Sequence, residues 1–181
     1  MRVPLDLNKP ATDAMRSVGI QVLCSTFAHA LDVKAPRVAG LSAHRGLKAF
    51  REFSAACMEE ALVSPAYAED RRAQLEGRAR TLGAQLRAVL APRDEELAYL
   101  VSWLYAAIDI EVSGEIPGEL VFNRCSFSGR YTPQLCWFMS AFDSGFIGGL
   151  CGGGRLEFHA RITEGAPCCR ALYMPEEGGG R

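Results

Sequence analysis

The sequence predicts an α+β domain: a helical N-terminal half packed on a small antiparallel β-sheet with one further helix. Three observations predict it. Residues up to about Ile108 are rich in Ala, Leu, Arg and Glu and repeat their apolar positions every three or four residues, the period of a helix. Beyond that point the composition turns to Gly, Cys and Phe. A late segment, Leu156 to Thr163, alternates apolar and polar residues, the period of a strand. The 181 residues suit one domain with a core of its own. It divides into a helical half over 1–110, a sheet-and-site half over 111–174, and a polar, Gly-rich tail over 175–181 that is expected to be disordered.

The first helix is expected over Asp13 to Leu31. Thr12 precedes it as N-cap, its hydroxyl able to accept from a free amide of the first turn. Ile20, Leu23, Cys24, Phe27 and Leu31 form one apolar stripe, and Met15, Val18 and Val22 widen it, so the helix is expected to be buried over much of its circumference. Pro36 lies beyond its end. A second helix fits Ala43 to Leu62, with Leu47, Phe50, Cys57 and Ala61 at helical intervals and Ser64-Pro65 as its stop. A third, Ala66 to Leu90, sets Leu75, Ala79, Leu82, Leu86 and Val89 against Arg, Glu and Gln. Pro92 ends it. The fourth opens on Asp94, Glu95 and Glu96, acids that suit the positive end of a helix dipole. Its stripe is Leu97, Leu100, Val101, Leu104 and Ile108. Four helices with short connections predict an antiparallel, bundle-like half.

After Gly114 and Pro117-Gly118 the period changes. Glu119 to Phe127 reads as a strand. Thr132-Pro133 then starts a fifth helix, Thr as cap and Pro at the first helical position, running to about Ile147. Gly148 to Gly154 reads as a flexible turn. In the strand from Leu156, Leu156, Phe158, Ala160 and Ile162 point one way, and Glu157, His159, Arg161 and Thr163 the other. Glu164 to Pro167 is a turn, and Cys168 to Met174 returns as the hairpin partner.

Composition narrows the function. Twenty basic and 21 acidic residues leave a net charge of −1, which provides no field for nucleic acid or an anionic membrane. Arg71, Arg72, Arg78, Arg80 and Arg87 are interleaved with acids and read as a solvated helix face. No apolar run approaches the ~20 residues of a membrane span. Met1 to Pro10 lacks the features of a secretory signal. Seven cysteines, an odd number without an export signal, point to reduced thiols and a cytoplasmic setting. No C-x-x-C occurs, so structural zinc spacing is missing, and no metal or cofactor is assigned. The expected partner is a small molecule, with no nucleic acid and no membrane. A homo-oligomer is compatible with this composition.

The chemistry clusters late. Cys125, Cys136, Cys151, Cys168 and Cys169 share the last sixty residues with Arg124, Asp143, His159 and Arg161. Glu157, His159 and Arg161 form either a solvent-facing strand surface or the floor of a pocket, with Cys168 or Cys169 about 5 Å across the hairpin. Cys136 and Asp143 lie seven apart on one helix face, about 10 Å along its axis, far enough to flank a ligand. Cys136 also suits a core. Asp143 sits among Phe142, Phe146 and Ile147, where a carboxylate must find partners or shift its pKa. Cys125 follows Arg124 at a strand end, where a guanidinium would favour thiolate; the alternative is a half-buried structural cysteine.

The run Phe122-Asn123-Arg124-Cys125, then Cys136 and Asp143, then Phe158-His159-Ala160-Arg161-Ile162-Thr163, then Gly165 and Cys169 resembles the L-2-amino-thiazoline-4-carboxylic acid hydrolase family over roughly residues 119–174. The chain departs from that pattern where Ser140 holds the position nearer the aspartate and where Arg170-Ala171 follows Cys169. The resemblance implies hydrolysis of a carbon–nitrogen bond in a small cyclic amidine or thiazoline-like carboxylate. Cys125 or Cys169 would attack an sp² carbon and Asp143 or His159 would move protons. Arg124 or Arg161 would hold a carboxylate, with Tyr131 in the same binding set. Two other readings compete. One is a non-catalytic small-molecule binding module, which the many Phe residues suit. The other is a thiol-based metal or redox sensor using Cys125 and Cys168-Cys169.

Overall fold

A computed structural model describes residues 11–176. Expectations for Met1–Pro10, and for the tail beyond residue 176, lie outside the described residues. The elements run α1 (Asp13–Leu31), α2 (Ala43–Ala61), α3 (Pro65–Leu90), α4 (Leu97–Ala106), β1 (Ile110–Gly114), β2 (Gly118–Cys125), α5 (Pro133–Cys151), β3 (Arg155–Ala160) and β4 (Cys169–Met174). Short 3-10 turns at Asp94–Glu96 and Ile162–Glu164 precede α4 and follow β3. The α+β architecture is the one the sequence predicts.

The caps explain the boundaries. Thr12 Oγ1 accepts from the Met15 amide at 3.3 Å, and Thr132 Oγ1 from the Leu135 amide at 3.3 Å, each satisfying a first-turn donor that has no helical partner. Pro65 does not simply stop α2; it stands in the first turn of α3, as Pro133 does in α5. The fourth helix ends at Ala106, short of Ile108. Asp109 turns the chain with φ 59° and delivers Ile110 into β1. The sequence pattern alone places no strand there: β1 is five residues long with only Ile110 and Val112 buried.

The four strands form one antiparallel sheet in the order β1-β2-β4-β3. One face packs on the helices through Val112, Leu120, Phe122, Leu156, Ala171 and Tyr173, all buried. The core cluster is continuous from α1 to β4.

α5 is the organising helix. It runs past Ile147 through Gly148 and Gly149 to Cys151, so most of the expected glycine turn is helical and only Gly152–Gly154 turns. The reason is packing against α3. A Cβ at Gly149 would lie 2.0 Å from the Arg80 carbonyl oxygen, and one at Gly145 would lie 2.1 Å from that of Glu76. Only a residue without a side chain permits backbones so close. The arginines of α3 use this proximity. Arg87 donates to the Leu150 carbonyl at 2.9 Å, closing a group left open in the last turn of α5, and Arg80 donates to the Gly154 carbonyl at 3.0 Å in the turn that follows.

α1 is less buried than its composition suggests. Ile20, Cys24 and Phe27 are enclosed, while Val18 keeps 59% of its surface exposed and Met15 42%. These exposed residues border an opening into the interior.

Candidate functional site

A cavity of about 640 Å³ lies between the inner face of the sheet and helices α1, α3, α4 and α5. Its body is apolar, with Leu82 and Leu86 from α3, Leu104 from α4, and Phe122 and Phe158 from the sheet among its walls. The polar lining residues include Asp143, Arg161, Ser140 and the thiols of Cys125, Cys136 and Cys169.

Two β-bulges decide which residues reach it. On β2, Val112 pairs with Phe122 but Glu111 pairs with Arg124, so Asn123 is an extra residue in the ladder. Alternation slips by one. Cys125 turns into the cavity, and Arg124 turns outward and is exposed. On β3, Phe158 pairs with Ala171 but Ala160 pairs with Arg170, so His159 is the extra residue. Arg161 therefore swings to the inner side, its guanidinium 5.4 Å from the centre of the Phe158 ring. His159 stays on the opposite face, 52% exposed, with Nε2 3.2 Å from Glu119. Glu119 is also paired with Arg170.

The structure thus gathers Cys125, Asp143, Cys169, Arg161 and Tyr131 around one hollow, together with Cys136. It does not bring Arg124 or His159 there. The expected grouping of Glu157, His159 and Arg161 on one side of β3 is corrected by the bulge, which separates Arg161 from the other two. Cys168 is likewise not among the residues that line the cavity. Tyr131 contributes its buried ring, while its hydroxyl lies 2.6 Å from Ser54 Oγ and is already engaged. Cys136, Ser140 and Asp143 follow one another four and three residues apart on α5 and share its cavity face.

Tyr105 and Arg72 are residues the sequence reading missed. Tyr105 hydroxyl donates to Asp143 Oδ1 at 2.7 Å. It stands four residues after Val101 on the buried stripe of α4, the only signal that pointed to it. Arg72 stacks its guanidinium 4.3 Å over the Trp137 ring, donates Nε–H to the Trp137 carbonyl at 3.1 Å and reaches Ser140 Oγ at 3.3 Å. Its interleaving with acids along the sequence gives it the pattern of a solvated face instead.

Burial governs the titration. It lifts Asp143 from its ordinary 3.8 to about 6, against the opposing effects of the Tyr105 hydrogen bond and the Arg161 charge. It pushes the Cys125 thiol up to about 12, an effect only partly offset by the Phe127 amide and reinforced by Asp143 nearby. Cys136 and Cys169 are raised for the same first reason. At neutral pH the Cys125 side chain is therefore held as the thiol rather than the thiolate. The activating guanidinium expected from Arg124 faces the other side of the sheet. Among the described residues, no three His, Cys, Asp or Glu side chains come together closely enough to hold a metal ion.

No family model, no curated protein and no solved structure matches this chain. The site combines an apolar chamber, a carboxyl whose pKa burial raises to about 6, a half-hidden guanidinium and thiols held in their neutral form.

Proposed function

We propose that this protein is a small-molecule binding module that takes up a largely apolar ligand and sets the ligand's polar group at the Asp143–Arg161 end. The observation that carries the reading is the 640 Å³ cavity, apolar in its body with a few polar groups brought together, which is the usual construction of a ligand site. At roughly 30 Å³ per water molecule, that volume equals about twenty waters. A ligand of about that many heavy atoms would replace them, and the release of apolar surface from water would drive its uptake.

A hydrolase of thiazoline-carboxylate type is the second reading, favoured by the meeting of Cys125, Cys169 and Asp143 at one hollow. In it Cys125 or Cys169 attacks and Asp143 moves the proton. The raised thiols weigh against it, because the nucleophile is the thiolate. No helix among the described residues is long and apolar enough to cross a membrane. The odd number of cysteines, seven, favours a reducing, cytoplasmic setting.

Thermal unfolding tests the proposal. Alkanols, alkylphenols and alkanoates of graded length are added to the purified chain, with glycerol as the polar control. A ligand that binds only the folded state raises the melting temperature with its concentration. The expected result is a rise that grows with chain length until the cavity is filled. No rise for any apolar compound, together with turnover of a thiazoline carboxylate that Cys125→Ser or Cys169→Ser abolishes, would replace binding by hydrolysis.

A further inference from the structure

Asp143 carries an acceptor that the fold leaves unused. Its Oδ1 takes the Tyr105 hydroxyl at 2.7 Å, and among the described residues no side chain donates to Oδ2. The sealed side-chain polar atoms without a partner among those residues are Arg71 Nε, Arg161 Nε and Thr163 Oγ1. Asp143 Oδ2 is not one of them, so it is open rather than enclosed. From Ala141 to Leu150 every residue but Asp143 is buried, and Asp143 lines the cavity. The hollow is therefore what the spare oxygen faces. Arg161 shares this end, but its Nη1 turns to Glu164 at 3.4 Å, and it acts on Asp143 through its charge. One acid and one base are thus already present. A ligand head of either net charge brings an uncompensated charge into an apolar chamber, a cost that a neutral head avoids. A neutral head that donates a hydrogen also fills the open acceptor.

We propose that Asp143 determines the specificity of the cavity: its open Oδ2 accepts the hydrogen of a ligand hydroxyl, and the ligand is an uncharged apolar alcohol whose body lies against Leu82, Leu86, Leu104 and Phe122. The inference rests on the binding function proposed above and names the class of ligand. Above about pH 6 the Asp143 carboxyl is mostly ionised and can only accept. A hydroxyl is then recognised by the hydrogen it gives, in a charge-assisted bond stronger than a neutral one. An ether of the same size has no hydrogen to give and leaves the carboxylate unpaired. Tyr105 is a positioning residue. Its hydrogen bond occupies Oδ1 and so fixes which oxygen is left for the ligand.

The test compares 1-decanol, its isomer methyl nonyl ether, decanoate and decylammonium by calorimetric titration at pH 8. The two isomers contain the same atoms and the ether is the more apolar, so a preference for the alcohol reports the donated hydrogen. Decanol is expected to bind about tenfold tighter than the ether or more, and tighter than either ion. Asp143→Asn keeps an oxygen for Tyr105 and turns an amide N–H toward the ligand. In it the ether is expected to come within about threefold of decanol or to pass it. Tyr105→Phe is expected to narrow the gap partially. The comparison on the unaltered protein stands even if a variant fails to fold. Equal binding of ether and alcohol, or tighter binding of decanoate or decylammonium, overturns the hydroxyl subsite and leaves the binding function intact. An unchanged preference for decanol in folded Asp143→Asn overturns Asp143 as its acceptor. Failure of all four compounds to bind overturns both the subsite and the binding function.

Discussion

Tyr105 donates its phenolic hydrogen to Asp143 Oδ1 across 2.7 Å, tying α4 to α5 where the cavity is polar. Burial holds Asp143 up to about 6 in the folded chain, from an ordinary 3.8, so between these values the folded state binds a proton that the unfolded chain releases. The stabilising contribution of this protonation is fully present below about pH 4 and is lost as the pH rises through about 6. Its size is roughly 3 kcal/mol. Asp143→Asn keeps an oxygen to accept from Tyr105 and removes the titration. Chemical denaturation between pH 4 and 7 is expected to show stability falling with pH in the native chain and a flatter profile in the variant. An unchanged slope in Asp143→Asn would show that the carboxyl is not the titrating group.

The thiols provide a second check. With Cys125 pushed up to about 12 and Cys136 and Cys169 raised by burial, iodoacetamide should label these three in the folded chain far more slowly than in denaturant at pH 7. Mass spectrometry of labelled peptides reads each site separately. Rapid labelling of folded Cys125 or Cys169 near neutrality would contradict the neutral thiols and favour the hydrolase.

The α3–α5 contact makes a third prediction. A methyl group at Gly149 meets the Arg80 backbone oxygen at 2.0 Å, whereas one at Gly77 meets nothing within 4 Å. Gly149→Ala should destabilise by about 1–3 kcal/mol or more, as overpacking does. Gly77→Ala, at an exposed helical position, should stabilise by roughly 0.5–1 kcal/mol. Denaturant midpoints of the two variants decide it; equal effects would remove the close approach of the helices.

Filling the cavity is a fourth. Leu104 is partly buried on α4 and faces the chamber. Leu104→Trp would place an indole in the ligand's space. The melting temperature of the unliganded variant is expected to stay within a few degrees of the native value, while the rise caused by decanol is lost. A variant that still responds fully to decanol would place the ligand elsewhere.

The helices were legible because their apolar periods and caps are local. Thr12, Thr132 and Pro133 mark boundaries that the structure keeps. The place of Asp143 beside Cys136 on one face of α5 was also legible from helical spacing, whereas Cys125 reaches the same hollow only through the bulge at Asn123. Arg124 and Arg161 take the faces opposite to those that alternation assigns, for one shared reason, while His159 keeps the outer face with Glu157. A two-residue alternation cannot reveal where a strand takes an extra residue, and bulges at Asn123 and His159 invert everything after them. Gly148 and Gly149 have the pattern of a turn because single-chain propensity disfavours Gly in helices. Their role appears only when α3 lies against them. Arg72 looked solvated because its aromatic partner, Trp137, is 65 residues away.

The most direct measurement is a calorimetric titration of the native chain with 1-decanol at several temperatures. Burial of apolar surface in a real cavity predicts one molecule bound per chain and a negative heat-capacity change. An absence of saturable heat, or a heat capacity that does not change on mixing, would contradict a ligand chamber between the sheet and α1, α3, α4 and α5.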